Sequence, residues 1–359
     1  MFLAGIDEAG LGPALGPLTT CAAVFRTPDD RPGLALNPEA FFGGACLPAT
    51  PDARTAKRDR ALLPVADSKQ VHAVGGLPLL HRTISAFWPL PPHEGFREND
   101  AMRVDRTSLL KRLGAEDAIP PPGLAPWHDI SEKRNDPWPP GQAWPAIRGD
   151  AAQSGGQDPP AAPPATPPLS PRLPDANPKW SFAGFHARVT MPGALNQMFG
   201  EGLNKHDAAL RAIGQLLTRL DGRHPNDSWM AVIDQQGGRR HYEPFLASCF
   251  PEAWVIREEA FDGRPERCLY RLRQADRPER RILFKIKADA TCPPAALASM
   301  LAKWLREGFM AELNGWFGAR LPGLAPTAGY PADAKRWLAQ TAEYRLARRI
   351  CLPQLVRQR

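Results

Sequence analysis

FLAGIDEAGLGPALGP, residues Phe2–Pro17, is the stretch around which the rest of the chain is organised. Its first five residues are apolar and predict a buried strand, two carboxylates follow, and three glycines with two prolines then exclude regular helix or strand. Because side chains alternate along a strand, Asp7 and Glu8 are expected to leave the sheet in different directions. A second carboxylate facing the same point must therefore come from elsewhere in the chain. Glycines beside the acids would let a ligand approach the backbone closely. The alternative is a solvated acidic pair at a strand end.

The composition indicates a globular protein that lacks membrane segments. The chain has 359 residues and a formal net charge of +7, which weakly favours a polyanionic partner. Its six cysteines form no C-x-x-C pair, so neither a zinc knuckle nor a disulfide framework is indicated, and a reducing compartment fits best. No apolar run reaches membrane-spanning length, and the first residues do not resemble a signal peptide. We expect a soluble, cytoplasmic protein.

Hydrophobic periodicity predicts alternating strands and helices on either side of a proline-rich segment. Strands are predicted at Phe2–Ile6, Leu18–Phe25, Trp180–Val189, Trp229–Ile233, Ala253–Glu258, Cys268–Arg273 and Arg280–Lys287. Helices are predicted from Asp67 or Ser68 to Phe87, from Asn204 or His206 to Leu220, over Tyr242–Ser248, from Pro293 to Leu313 and over Asp333–Arg349. Between them, proline pairs recur from about residue 89 to 179, and this density predicts an extended, largely disordered insertion. The pattern favours an α/β or α+β sheet.

Acidic residues follow three of the apolar strands: Asp7 and Glu8, Asp234, and Asp289. Ionised carboxylates that share a cleft repel one another unless cations neutralise them, and ligation by oxygen alone selects Mg²⁺ or Mn²⁺. Two such ions could activate a water molecule and stabilise the leaving oxygen in phosphodiester hydrolysis. Each aspartate taken singly could instead begin a loop or cap a helix.

These motifs, in order, resemble those of type 2 ribonucleases H, the HII/HIII group. The resemblance covers most of residues 1–88 and 180–349. The matching motifs are Gly5–Gly10 with Gly12, Gly16 and Pro17; Asp67–Lys69; Val232–Asp234 with Gly237, Gly238 and Tyr242; Lys287–Ala290 followed by Ala298–Lys303; and Gly329–Pro331.

The resemblance implies an RNase H-like mixed sheet flanked by helices, with a C-terminal helical region. The long, largely disordered insertion that the prolines indicate is not typical of this group. The catalytic domain would comprise residues 1–88 and 180–318, interrupted by the insertion at 89–179, and residues 319–359 would form a helical substrate-binding region. Its implied activity is endonucleolytic hydrolysis of the RNA strand of RNA–DNA hybrids by a monomer using two Mg²⁺ or Mn²⁺ ions.

The resemblance also assigns site residues. The metal ligands and catalytic residues would be Asp7, Glu8, Asp234 and Asp289. Substrate-binding residues would be Gly10, Leu11, Gly12, Ser68, Lys69 and Tyr330. Among these, Lys69 would contact a phosphate, Tyr330 would stack near the RNA–DNA junction, and the Gly10–Gly12 backbone would approach the ribose 2′-hydroxyl. Lys303 matches the family's lysine on the following helix and would be structural or face a phosphate.

One position departs from the family pattern. Leu11 stands where the HII group usually has arginine, and leucine cannot offer a guanidinium to a phosphate. We therefore expect cleavage of continuous hybrids to be preferred over excision of single embedded ribonucleotides. Two alternatives remain open: a catalytically weak or inactive nucleic-acid-binding protein, and a nuclease of the same fold with another substrate.

Overall fold

The computed structural model describes residues 1–27, 46–47, 63–87, 106–115, 118, 180–258 and 267–358. The strands are β1 (Phe2–Ala9), β2 (Leu18–Arg26), β3 (Cys46–Leu47), β4 (Leu63–Pro64), β5 (Ser181–Thr190), β6 (Trp229–Asp234), β7 (Trp254–Glu258), β8 (Arg267–Arg273) and β9 (Arg280–Lys285). The helices are α1 (Ser68–Phe87), α2 (Arg106–Leu113), α3 (Pro192–Gly200), α4 (Lys205–Arg223), α5 (Glu243–Cys249), α6 (Ala288–Thr291), α7 (Pro293–Gly318), α8 (Pro331–Gln340) and α9 (Ala342–Ala347), followed by a 3₁₀ turn at Leu352–Gln354. Across the described ranges, no helix is long and apolar enough to cross a membrane.

Seven strands form one mixed sheet in the order β5-β2-β1-β6-β9-β8-β7. The central strands β1, β6 and β9 are parallel, and the remaining neighbours are antiparallel. Carboxyl ends of parallel strands lie at the same edge of a sheet, where ligands commonly bind in α/β folds. The predicted mixed sheet flanked by helices is confirmed, and its centre brings together the three strands that precede the acidic residues.

Helices cover both faces of this sheet. The side chains of β1 alternate between two core clusters: Leu3 joins the cluster formed with α1, α2 and α7, whereas Ala4 and Ile6 join the cluster formed with α4 and α5. Helix α7 is 26 residues long and contacts both β1 and β2. Both faces are therefore buried, which explains the continuous apolar run at the start of the chain.

The C-terminal region packs on the second half of α7. Trp337 of α8 and Phe317 of α7 meet at 4.6 Å between ring centroids, within a cluster that also contains Leu15. The prediction of one helix over residues 333–349 is wrong, because α8 ends at Gln340 and α9 begins at Ala342. The intervening Thr341 is buried, and its hydroxyl donates to the Trp337 carbonyl at 2.9 Å, a local bond that competes with regular helix.

Helix α2 lies inside the proline-rich segment, where the sequence led us to expect little order. Its buried leucines Leu109, Leu110 and Leu113 belong to the α7 face of the core. Arg106 also pairs with Glu312 of α7 at 2.5 Å. Most of the remaining segment lies outside the described residues, so the prediction of a disordered insertion stays a prediction there.

We expect alanine at Asp221 to lower the free energy of unfolding by about 3–5 kcal/mol, because it leaves buried guanidinium charge without its carboxylate partner. Asp221 accepts hydrogen bonds from Arg277 at 2.6 Å, from Arg280 at 3.2 Å and from the Trp229 indole at 3.2 Å. The Arg280 side chain is 2% exposed. Urea denaturation measures the change. Glu252→Gln, at an exposed acid, is the control and should shift the value by less than about 0.5 kcal/mol. An equally small shift for Asp221→Ala would contradict the prediction.

Candidate active site

The connection between β1 and β2 is a glycine loop, Gly10–Gly16, at the carboxyl end of β1. Gly10 has a φ of 96° and Gly16 a φ of 81°, both in the region that disfavours other residues. A Cβ atom on Gly10 would lie 2.5 Å from the Pro17 carbonyl oxygen, and one on Gly16 would lie 2.3 Å from the Met310 sulfur. Both positions therefore require glycine, and the loop is held close to α7.

Strand register places two of the predicted acids side by side. The parallel pairing of β1 with β6 aligns Ile6 with Ile233. Asp7 and Asp234, the next residue of each strand, therefore project from the same face of the sheet. The face is the one covered by α7, and Asp7 is only 7% exposed.

Asp289 reaches the same edge through the turn after β9. The Ala288 N–H, at the start of α6, donates to Asp234 Oδ1 at 2.9 Å and fixes this turn against β6. Lys287, just before α6, has a φ of 52°, a strained conformation for a residue with a side chain. The pKa of Asp289 is raised, first by burial and then by repulsion from Asp67 and Asp234.

Asp7 lies at the centre of this acidic group. Burial is the largest cause that raises its pKa, and repulsion from Glu8 is the next. Asp234 and Asp289 raise the pKa of Asp7 further, whereas a hydrogen bond with the Ser299 side chain lowers it. The structure thus brings all four predicted carboxylates within electrostatic reach of one another.

Glu8 leaves the sheet on the opposite side from Asp7, as strand alternation predicts. Its Oε2 accepts a hydrogen bond from Gln236 Nε2 at 2.9 Å. Gln236 is itself buried, and its backbone N–H donates to the Tyr242 hydroxyl at 3.0 Å. Burial raises the pKa of Glu8 to about 7, with the Gln236 hydrogen bond acting against the shift and Asp234 adding to it. Sequence reasoning gave Gln236 no role; its one signal was a polar residue between an acidic strand end and a glycine turn.

The start of α1 supplies one exposed cation. The Lys69 N–H donates to Asp67 Oδ1 at 2.8 Å, which fixes the first turn, and the Lys69 side chain is exposed. Its charge lowers the pKa values of Glu8 and Asp234. Ser68, in contrast, is buried, and its hydroxyl forms a hydrogen bond with that of Ser299 at 3.0 Å. In this structure Ser68 therefore faces α7, whereas the Lys69 side chain is exposed.

Tyr330 lies beside the glycine loop. It is 54% exposed, and a Cβ atom on Gly12 would lie 3.8 Å from its ring. The Gly329 carbonyl accepts hydrogen bonds from the backbone of Ala14 and Leu15, which joins the tyrosine to the loop. Leu11 packs against a small apolar cluster. The members of that cluster are Leu18, Leu195, Ala208 and Ala209.

Lys303 is half-buried and forms an ion pair within its own helix, α7. It pairs with Glu307 at 3.2 Å, and Arg306 contacts the same carboxylate at 3.1 Å. Its contacts favour the structural role over the phosphate contact that the resemblance left open.

The acidic group suits divalent cations in its chemistry. Its donors are carboxylate oxygens, the ligands preferred by Mg²⁺ and Mn²⁺, and bound cations would relieve the repulsion that raises the pKa values of these acids. Within the described residues, no three His, Cys, Asp or Glu side chains are already grouped as an ion's ligands. The four acids therefore suit a metal ion by their chemistry, but their side chains are not arranged as a complete set of ligands.

The metal-free protein should lose stability as pH rises from about 4.5 to about 7. The pKa of Glu8 rises from 4.5 to about 7 on folding, so its contribution is fully present below about 4.5 and is lost as the carboxyl ionises in the folded state. Glu8→Gln should flatten this dependence, which denaturation in chelator at several pH values measures. Burial lowers the pKa of His186 to about 3, so this residue makes stability rise with pH up to about 6.5. Its contribution is the same in the wild type and in Glu8→Gln. Parallel stability curves for the two proteins would contradict the prediction.

No protein-family model matches the sequence, and no curated protein matches it. One similar solved structure is RNase HII of Archaeoglobus fulgidus in its complex with PCNA, with 13% identity, a TM-score of 0.38 and coverage of 100% of this chain and 95% of that one. A second is ribonuclease H2 from Pyrococcus horikoshii OT3, with 14% identity, a TM-score of 0.35 and coverage of 99% of this chain and 92% of that one. A third is Bst-RNase HIII in complex with Mn²⁺, with 13% identity, a TM-score of 0.39 and coverage of 99% of this chain and 66% of that one. This chain thus spans about two thirds of the length of Bst-RNase HIII. Similarity at this level assigns no activity. The three similar solved structures are thus an RNase HII, a ribonuclease H2 and an RNase HIII.

Proposed function

We propose that the protein is a metal-dependent endoribonuclease that hydrolyses the RNA strand of RNA–DNA hybrids. The observation that carries the proposal is the grouping of four acids at the carboxyl edge of β1, β6 and β9, beside a glycine loop and an exposed tyrosine. A cleft that only bound nucleic acid would gain nothing from several carboxylates facing phosphate. The acids therefore favour hydrolysis over binding alone.

In this proposal Asp7, Glu8, Asp234 and Asp289 hold Mg²⁺ or Mn²⁺. The bound ions would activate water for attack on the phosphodiester and stabilise the leaving oxygen. The remaining contacts orient the ligands: Ser299 bonds to Asp7, Gln236 to Glu8, and the Ala288 N–H to Asp234. Such supporting hydrogen bonds limit how far each carboxylate can turn.

The substrate side comprises Lys69, the backbone at Gly10–Gly12 and Tyr330. Lys69 is exposed and close enough to the acids to lower their pKa values, so it can contact a phosphate next to the cleaved bond. Gly12 is exposed, which lets the RNA strand approach the backbone where its 2′-hydroxyl can be recognised. Tyr330 offers an exposed ring for stacking on a sugar or base.

Leu11 supports a preference for continuous hybrids. Its side chain packs on the protein, so this position supplies no charge to the substrate. Loss of a guanidinium at this position removes a potential bidentate contact with phosphate. Cleavage at a single embedded ribonucleotide should be reduced most, because one ribonucleotide provides few contacts that distinguish it from DNA.

The proposal is tested with four labelled duplexes of one sequence: an RNA–DNA hybrid, double-stranded RNA, double-stranded DNA, and DNA with a single ribonucleotide. With Mg²⁺ or Mn²⁺, we expect efficient cutting of the hybrid only, within the RNA strand, and none in chelator. Binding of the hybrid without metal-dependent cutting would favour a binding protein. Preferred cutting of another duplex would favour a nuclease of different specificity, and efficient cutting at the single ribonucleotide would contradict the role given to Leu11.

A further inference from the structure

The segment after the last 3₁₀ turn lies along the glycine loop. The Arg357 N–H donates to the Ala14 carbonyl at 2.9 Å, and Val356 pairs with Leu15 in an antiparallel bridge. Asn196 of α3 holds the same segment from its other side. Its Nδ2 donates to the carbonyls of Pro353 and Val356 at 2.8 Å, and its Oδ1 accepts from the Gln358 N–H at 2.6 Å.

The Arg357 guanidinium joins the two ends of the loop. Its Nε and Nη2 donate to the Gly16 carbonyl at 3.0 and 2.7 Å, and its Nη1 donates to the Gly10 carbonyl. The side chain is 7% exposed. Since Gly10 and Gly16 are the residues with left-handed backbone, one planar group fixes both points at which the loop changes direction.

Removing this group would release the loop. Two partly buried carbonyls would lose their arginine donors, which is unfavourable. Glycine-rich backbone also has more conformations open to it than any other, so the loop depends on such anchors to stay in one of them. Arg306 also lies against the loop, because its side chain is 3.0 Å from where a Cβ atom on Gly10 would be. Its guanidinium donates to the Ala328 carbonyl, outside the loop.

We infer that Arg357 is a positioning residue for the RNA strand: it fixes the glycine loop in the shape that meets the ribose-phosphate backbone beside Tyr330. The inference rests on the proposed function. Arg357 is buried under the loop and acts through it. Lysine cannot replace it fully, because an ammonium lacks the planar fork that reaches both carbonyls at once.

The experiment compares Arg357→Ala and Arg357→Lys with Arg219→Ala as a matched control. Arg219 donates to the carbonyl of Gly114, another glycine with positive φ, at 2.9 Å. It lies toward the other end of the sheet, since His224 of the following turn stacks on Phe2 at the start of β1. Three readouts are measured: kcat and KM on the hybrid, amide hydrogen exchange of residues 10–16, and recovery of activity with millimolar guanidinium.

For Arg357→Ala we expect kcat/KM to fall about 10- to 100-fold, mainly through KM, with faster exchange in the loop and partial recovery by added guanidinium. Arg357→Lys should lie between it and the wild type, and Arg219→Ala should stay within about twofold of the wild type. If Arg357→Ala does not fold, the same comparison is made with Arg357→Lys. Loop exchange and KM equal to those of Arg219→Ala would overturn the inference. If the wild type neither binds nor cuts hybrid, the proposed function fails, and unchanged loop exchange would then reject the anchoring role as well.

Discussion

Asp7→Asn is expected to reduce Mg²⁺-dependent cleavage of an RNA–DNA hybrid by about 10³-fold or more while making the metal-free protein more stable. The rate falls because the substitution removes the most buried charge of the proposed metal site, a contribution worth several kcal/mol. Stability rises because Asp7 is desolvated and repelled by Glu8, so its ionised form opposes folding at neutral pH. We therefore expect the free energy of unfolding of Asp7→Asn to exceed that of the wild type at pH 7.5 in chelator.

Asp227→Asn is the matched control, because it makes the same change at the opposite end of β6 from Asp234 and the acidic group. It should leave cleavage within about twofold and stability within about 0.5 kcal/mol. Steady-state cleavage and urea denaturation, with and without Mg²⁺, measure both effects. A destabilised Asp7→Asn protein would show that hydrogen bonding outweighs repulsion at this position, and retained cleavage would remove Asp7 from the proposed mechanism.

Much of the sheet could be predicted from the sequence because its central strands are covered on both faces. Burial on two sides requires continuous apolar runs, and the runs in β1 and β6 each end at an acid. Parallel pairing then brings Asp7 and Asp234 to one edge without further information. Helix α4 was also predictable, since Asn204 caps its first turn through a capping box.

The contacts that orient the acids could not be predicted in this way. Gln236 bonds to Glu8 across 228 residues of sequence, and Arg357 bonds to Gly16 across 341. Neither residue stands in a pattern that assigns it a partner so far away in the chain, because a glutamine before a turn and an arginine in a basic tail are ordinary in composition. Helix α3 was not predicted for a related reason. It buries only Pro192 and Leu195, which are too few to form an apolar stripe at helical spacing.

The close approach of α7 to β1 links the fold to the site. Gly5, in the middle of β1, faces the start of α7, and a Cβ atom there would lie 2.0 Å from the Ala295 nitrogen and 2.1 Å from the Pro294 carbonyl carbon. Asp7 is two residues further along the strand and therefore faces α7 as well. Absence of a side chain at Gly5 thus brings Ser299 of α7 within hydrogen-bond reach of Asp7.

We expect Gly5→Ala to destabilise the protein by at least about 3 kcal/mol, because both obstructing atoms belong to backbone and cannot move without shifting α7. That is a large share of the about 5–15 kcal/mol by which domains are stable. Circular dichroism during thermal unfolding measures the effect. Gly222→Ala is the control: Gly222 lies within α4 with no neighbouring atom within 4 Å of the added carbon, so alanine should leave stability unchanged or raise it by about 0.5–1 kcal/mol. If Gly5→Ala folded as stably as Gly222→Ala and still cut hybrid, α7 would not need to lie this close to β1, and the positioning of Asp7 through Ser299 would lose its structural basis.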